Sequence, residues 1–106
     1  IETLLGDPDL APAQVAEAHG VSLRYMQKLF TLADKTFSNY VRTRRLERCR
    51  ADLVSPLYSQ ISITEICFRW GFNSSAYFSR SFRDLYGISP RDFRRQNTPQ
   101  DQDETA

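Results

Sequence analysis

Apolar residues recur along the chain at spacings of three and four, the period of a helix with one buried face. Asn-Gly and Asp-Gly hairpin dipeptides are absent, so strand signals are weak. The pattern predicts an all-α fold of seven helices. An opening helix over 1–5, with Ile1, Leu4 and Leu5 apolar, closes at Gly6-Asp7-Pro8. A second starts at Pro12, a residue suited to a first helical position, and runs to His19 before Gly20. Ser22 caps a third, 23–33, with Met26, Leu29 and Phe30 facing inward. Thr36 caps a long fourth helix that ends between Leu53 and Ser55, ahead of Pro56. Ser62 and Glu65 form a capping box for a fifth, 63–70, ended by Gly71. Asn73 or Ser74 caps a sixth, 75–86, closed by Gly87, and Ser89-Pro90 opens a seventh to Asn97. From Thr98 the chain is polar and acidic with no apolar anchor, which predicts a disordered acidic tail over 98–106.

The fourth helix is irregular. Its first apolar group is Phe37, Tyr40 and Val41, and its second is Leu46, Cys49 and Leu53. At about 100° per residue the two groups point roughly 150° apart around the axis. A helix that buries different faces at its two ends joins two packing units. The expected division is therefore a first helix-turn-helix subdomain over 1–35, a connecting helix over 36–55, and a second helix-turn-helix subdomain over 56–97.

That division is supported by an internal repeat. The first half reads Ala16-x3-Gly20-x-Ser22-x3-Met26-x-Lys28-x-Phe30. The second reads Cys67-x3-Gly71-x2-Ser74-x3-Phe78-x-Arg80-x-Phe82, with a turn one residue longer. Each position has a physical task in a helix-turn-helix. The small residue lets the second helix cross the first closely, and glycine ends the first helix at positive φ. Serine caps the following helix, whose other face then presents polar and basic side chains.

Charge sharpens the picture. The overall balance is only +1, yet residues 1–19 and 96–106 carry four and three acids and no base. Residues 20–95 therefore hold all 14 bases against 6 acids, a net of +8, which points to a polyanionic partner.

The second half, Ile63-x2-Ile66-Cys67-x3-Gly71-Phe72-x4-Tyr77-Phe78-Ser79-Arg80-x-Phe82-x4-Gly87-x-Ser89-Pro90-x2-Phe93-Arg94, resembles the DNA-binding domain of the AraC/XylS family of transcription regulators. The first half resembles it through Val15-Ala16-x3-Gly20-Val21-Ser22-x2-Tyr25-Met26-x3-Phe30 and then Tyr40-Val41-x3-Arg45-Leu46, so that about 90 residues are covered. Three positions depart from the family pattern: Cys67 for alanine, Asp34 for a helix-ending glycine, and Ala11 for a capping Ser or Thr. The last costs about 1 kcal/mol.

The resemblance implies double-stranded DNA as partner. Arg24, Gln27 and Lys28 would face base edges from the first recognition helix, and Ser75, Ala76, Ser79 and Arg80 from the second. Arg and Lys suit guanine O6/N7, Gln suits adenine, and Ala76 suits a thymine methyl. Phosphate contacts are expected from the capped helix starts at Ser22 and Ser74, and from Arg94 and Arg95. Of the helix-four arginines, Arg45 is expected to pair with an acid, while Arg42 and Arg44 are candidates for phosphate or RNA polymerase. The resemblance also implies an activator working in the cytoplasm at the nucleoid. The sequence is expected to be a monomeric fragment whose longer parent dimerises through a further domain.

Other classes fare worse. Cys49 and Cys67 stand 18 apart with one histidine, His19, in the whole chain, so zinc-ligand spacing is absent and both cysteines read as buried small residues. No nucleophile–base pair, glycine-rich phosphate loop or cofactor motif appears, so neither an enzyme nor a cofactor is expected. A run of about eighteen apolar residues, as a membrane span needs, is missing. A helical protein–protein adaptor is the rival reading; it would need an exposed apolar groove.

Overall fold

Serine and threonine caps set where most of the helices begin. In the computed structural model, which describes residues 4–97, the Oγ of Ser22, Ser62, Ser74 and Ser89 and the Oγ1 of Thr36 each accept a backbone N–H three residues on, at 3.0–3.1 Å. Each satisfies a donor that the first turn would leave orphaned. The helices are α1 (Pro12–Ala18), α2 (Leu23–Leu32), α3 (Phe37–Leu53), α4 (Ile63–Arg69), α5 (Ser75–Tyr86) and α6 (Pro90–Asn97), with a short 3₁₀ turn at Pro56–Tyr58. The described residues thus hold six α-helices and no strand. Of the opening helix expected over 1–5, residues 1–3 lie outside the described residues; Leu4 is 3₁₀-helical and Leu5 lies in the turn that follows. The acidic tail expected over 98–106 also lies outside them.

Ala11 is the weak cap. It sits at the N-cap of α1 with no side-chain acceptor, and the Oε1 of Gln14 instead accepts the Ala11 N–H at 2.7 Å. Asp34 follows α2 at φ 57°, the left-handed conformation usually left to glycine, and it is the one non-glycine residue at positive φ among those described. Glycine does hold that conformation at the two helix-turn-helix corners, Gly20 at φ 69° and Gly71 at φ 96°.

Apolar side chains gather in two clusters. The smaller is built on Val15, Ala16 and Met26, with Leu4, Leu10, Val21, Phe30 and Phe37 packed against it. The larger holds Leu46, Cys49, Leu53, Ile66, Cys67, Phe72, Phe78 and Phe82. Its aromatic spine runs Phe72–Phe78–Phe82–Phe93, with successive ring centroids 5.1–5.8 Å apart, the first pair edge-to-face and the other two tilted. α3 feeds both clusters, giving Phe37 to the first and Leu46, Cys49 and Leu53 to the second. Both cysteines are fully buried and free, and burial pushes both thiols up.

One inward expectation fails. Met26 is buried and Phe30 packs on the first cluster, but Leu29 is 46% exposed. On a 100° wheel Leu29 falls with Tyr25 and Leu32, about 60–160° from the Met26–Phe30 side. These three form an exposed apolar flank of α2.

Candidate nucleic-acid interface

Two amphipathic helices carry the sequence-derived candidates. α2 buries Met26 and turns out Arg24, Gln27, Lys28 and Thr31, all exposed and within about 100° of arc. α5 buries Phe78 and Phe82 and turns out Ser75, Ala76, Ser79, Arg80 and Arg83, likewise exposed. Among the described residues the side chains of Arg24, Gln27, Lys28 and Arg80 take no hydrogen bond or ion pair, so their donors are available to a ligand. Ser22 and Ser74 stand at the helix starts with their hydroxyls already accepting Tyr25 N–H and Tyr77 N–H, both at 3.1 Å. What each start offers outward is the free backbone N–H groups of its first turn.

Arg94 and Arg95 part company. Arg94 is half-buried and donates to two carbonyls, Ile61 O at 2.7 Å and Tyr58 O at 2.6 Å, so it pins the loop after the 3₁₀ turn. Arg95 is exposed and pairs with Asp92 at 2.7 Å, an i,i+3 surface pair worth little in water.

Each of the five arginines of α3 is held by a partner. Arg42 donates to Asn39 Oδ1 at 2.7 Å and to the Tyr77 hydroxyl at 3.4 Å. Arg44 pairs with Glu47 at 2.8 Å. Arg45 was expected to meet an acid; instead its Nε donates to Leu5 O at 2.9 Å and its Nη2 to Asp7 O. Burial lowers its pKa, and the Asp7 charge works against that. Arg48 lies over the Trp70 ring, and Arg50 over Tyr86 and Phe93, at 5.0–5.4 Å to the centroids.

Tyr77 is the residue that sequence reasoning passed over. A Tyr-Phe pair in a helical pattern reads as core, and Phe78 is core, but Tyr77 is exposed on the side of α5 facing α3. There it lines a cleft of about 360 Å³ with Arg42, Thr43, Arg80, Ser81 and Asp84. The Arg42 hydrogen bond pulls its hydroxyl below the usual phenol range, against the burial that pushes it up. A second, mostly apolar groove of about 430 Å³ runs beside α2, lined by Val15, Val21, Tyr25, Met26, Leu29 and Phe30 among others.

Comparison with known proteins places these features. Residues 15–96 match the family model described as "Helix-turn-helix domain". Transcriptional activator RhrA of Rhizobium meliloti (strain 1021) is 38% identical over 95 residues, which cover 90% of this chain and 30% of RhrA. The XylDLEGF operon transcriptional activator of Pseudomonas putida is 38% identical over 84 residues, 78% of this chain and 26% of that protein. The chain belongs to the AraC/XylS family of transcription regulators. It carries the family's helix-turn-helix DNA-binding domain, and it spans under a third of the length of these two relatives.

The fold agrees with the AraC/XylS assignment. A transcriptional regulator described as AraC-type from Chromobacterium violaceum superposes with a TM-score of 0.75 at 30% identity, over 92% of this chain and 88% of that one. The C-terminal domain of AraT, a response regulator from Geobacillus stearothermophilus, gives 0.73 at 28% identity, over 92% and 78%. No helix among the described residues is long and apolar enough to cross a membrane.

Proposed function

We propose that this AraC/XylS domain sets α2 and α5 into two successive major grooves of one duplex, as the DNA-reading part of a transcription activator. The supporting observation is the pair of exposed polar faces, one on each capped helix, whose long donors have no internal partner. Arg24, Gln27 and Lys28 read base edges from α2. Arg80 is the long reader on α5, with Ser75, Ala76 and Ser79 making short contacts. The helix starts at Ser22 and Ser74 and the Arg95 guanidinium take phosphates. Arg94 acts chiefly by holding the loop at 58–61, the task its two carbonyl bonds suit.

In this reading the chain divides into subdomains over 1–35 and 56–97, and α3 within 36–55 is the connecting helix. Its 17 residues span roughly 25 Å at about 1.5 Å per residue. Successive major grooves on one face of straight DNA lie about 34 Å apart. The duplex therefore bends toward the protein, at a cost of a few kcal/mol, or α5 engages less fully than α2. RNA polymerase is the proposed partner for activation, the cytoplasm with its nucleoid the proposed location, and the chain as given binds as a monomer.

The test is Arg80→Ala. Binding is expected to weaken by about 1–3 kcal/mol, with sequence preference lost at one position in the α5 half of the site only. An equal loss on every sequence would instead make Arg80 a phosphate contact. The adaptor reading has one observation in its favour, the apolar groove beside α2. It requires affinity for a protein segment in place of DNA.

A further inference from the structure

α1 and α2 pack mainly on each other, and the first unit meets the rest of the molecule through the early turns of α3. A helix held at one end alone leaves the first unit free to swing. The structure supplies a second tie in residues 4–7. Leu4 packs on the first cluster, and the next residue, Leu5, is fully buried. The Leu5 and Asp7 carbonyls are both bound by the forked guanidinium of Arg45, 40 and 38 residues away on α3. On its far side the strap lies against the second unit. A Cβ on Gly71, at the α4–α5 corner, would sit 2.5 Å from Leu5 O and 2.8 Å from Arg45 Cζ and Nε. A Cβ on Gly6 would sit 3.0 Å from the Arg69 carbonyl at the end of α4. The strap therefore threads between the first cluster, α3 and the second helix-turn-helix, at van der Waals contact.

We infer that this strap, clamped by Arg45 and seated on Gly71, fixes the rotation of α2 relative to α5, and so sets the half-site spacing the protein accepts. Arg45 is a positioning residue: it touches no DNA and acts by holding two carbonyls in a geometry that only a planar fork supplies. The inference rests on the two-groove reading above and adds to it the device that makes the two grooves a matched pair.

Spacing is the readout that a merely stabilising role leaves unmoved. A bound sequence is first selected from random duplexes. The unchanged chain, Arg45→Lys and Gly6→Ala are then titrated against it, against duplexes with one base pair added or removed between the halves, and against the α2 half alone. One base pair turns the second groove by roughly 34° and moves it about 3.4 Å. The unchanged chain is expected to lose about tenfold or more in affinity on altered spacing, and Arg45→Lys no more than about threefold, because the loosened units re-aim. Affinity for the half-site alone stays the same. Gly6→Ala crowds the Arg69 carbonyl without touching Arg45, is expected to act in the same direction, and carries the test if Arg45→Lys fails to fold. Equal spacing penalties in all folded proteins would overturn the strap's role while leaving two-groove binding intact. An unchanged chain indifferent to spacing would overturn the two-groove reading itself, and the strap's role with it.

Discussion

Raising salt from about 50 to 200 mM is expected to weaken DNA binding by roughly five-hundredfold. Residues 20–95 carry a net charge of +8, but not every base is available. Arg45 and Arg94 are committed to backbone carbonyls, Arg44 to Glu47, and Arg48, Arg50 and Arg69 to aromatic rings. Apart from the base readers Arg24, Lys28 and Arg80, the bases left are the exposed Lys35, Arg83, Arg91 and Arg95 and the half-buried Arg42, which support about five phosphate neutralisations. Each contributes about 0.9 to the log–log slope, giving a slope near −4.5. Equilibrium titration at the two salt concentrations measures it. A flat response would remove the electrostatic basis of the interface and favour the adaptor reading.

Phe82→Ala is expected to cost about 3–5 kcal/mol and to melt the second unit first. Phe82 is fully buried, with the rings of Tyr86, Phe93 and Phe78 at 4.7, 5.7 and 5.8 Å. A unit this small has little stability to spare. The first cluster shares none of these side chains, so the loss should not pass to it in full. Trp70, the only tryptophan, packs against the second cluster and donates to the buried Asp52 at 2.8 Å, so its fluorescence reports that unit alone. The Trp70 melting midpoint is expected to fall by more than about 10 °C. A shift of only a few degrees would contradict the central place given to Phe82.

What was legible in the sequence was local. A serine ahead of an amphipathic run caps a helix through its own next turn, so Ser22, Ser62, Ser74 and Ser89 were readable from a few neighbours. The same holds for Gly20 and Gly71, and for Asp34 in the place of a turn glycine. Tertiary tasks were less visible. The arginine run of α3 reads as surface charge, and nothing in it marks Arg45 as the clamp on residues 5–7, because the partners are carbonyls that any sequence has. Arg94 looked like a phosphate ligand for the same reason. Leu29 followed the apolar spacing, yet the narrow packing stripe of α2 left it outside with Tyr25 and Leu32. Tyr77 was hidden by its core neighbour Phe78.

Most helix-turn-helix proteins read inverted repeats because two identical chains bring two identical helices. Here α2 and α5 differ and belong to one chain, so the proposed two-groove binding predicts an asymmetric site. The most direct measurement is footprinting of a selected duplex together with its binding stoichiometry. The expected result is a non-palindromic site of about two helical turns, protected by a single chain, with stronger sequence preference in the half that meets Arg24, Gln27 and Lys28. A palindromic site occupied by two chains, each protecting one groove, would contradict the account.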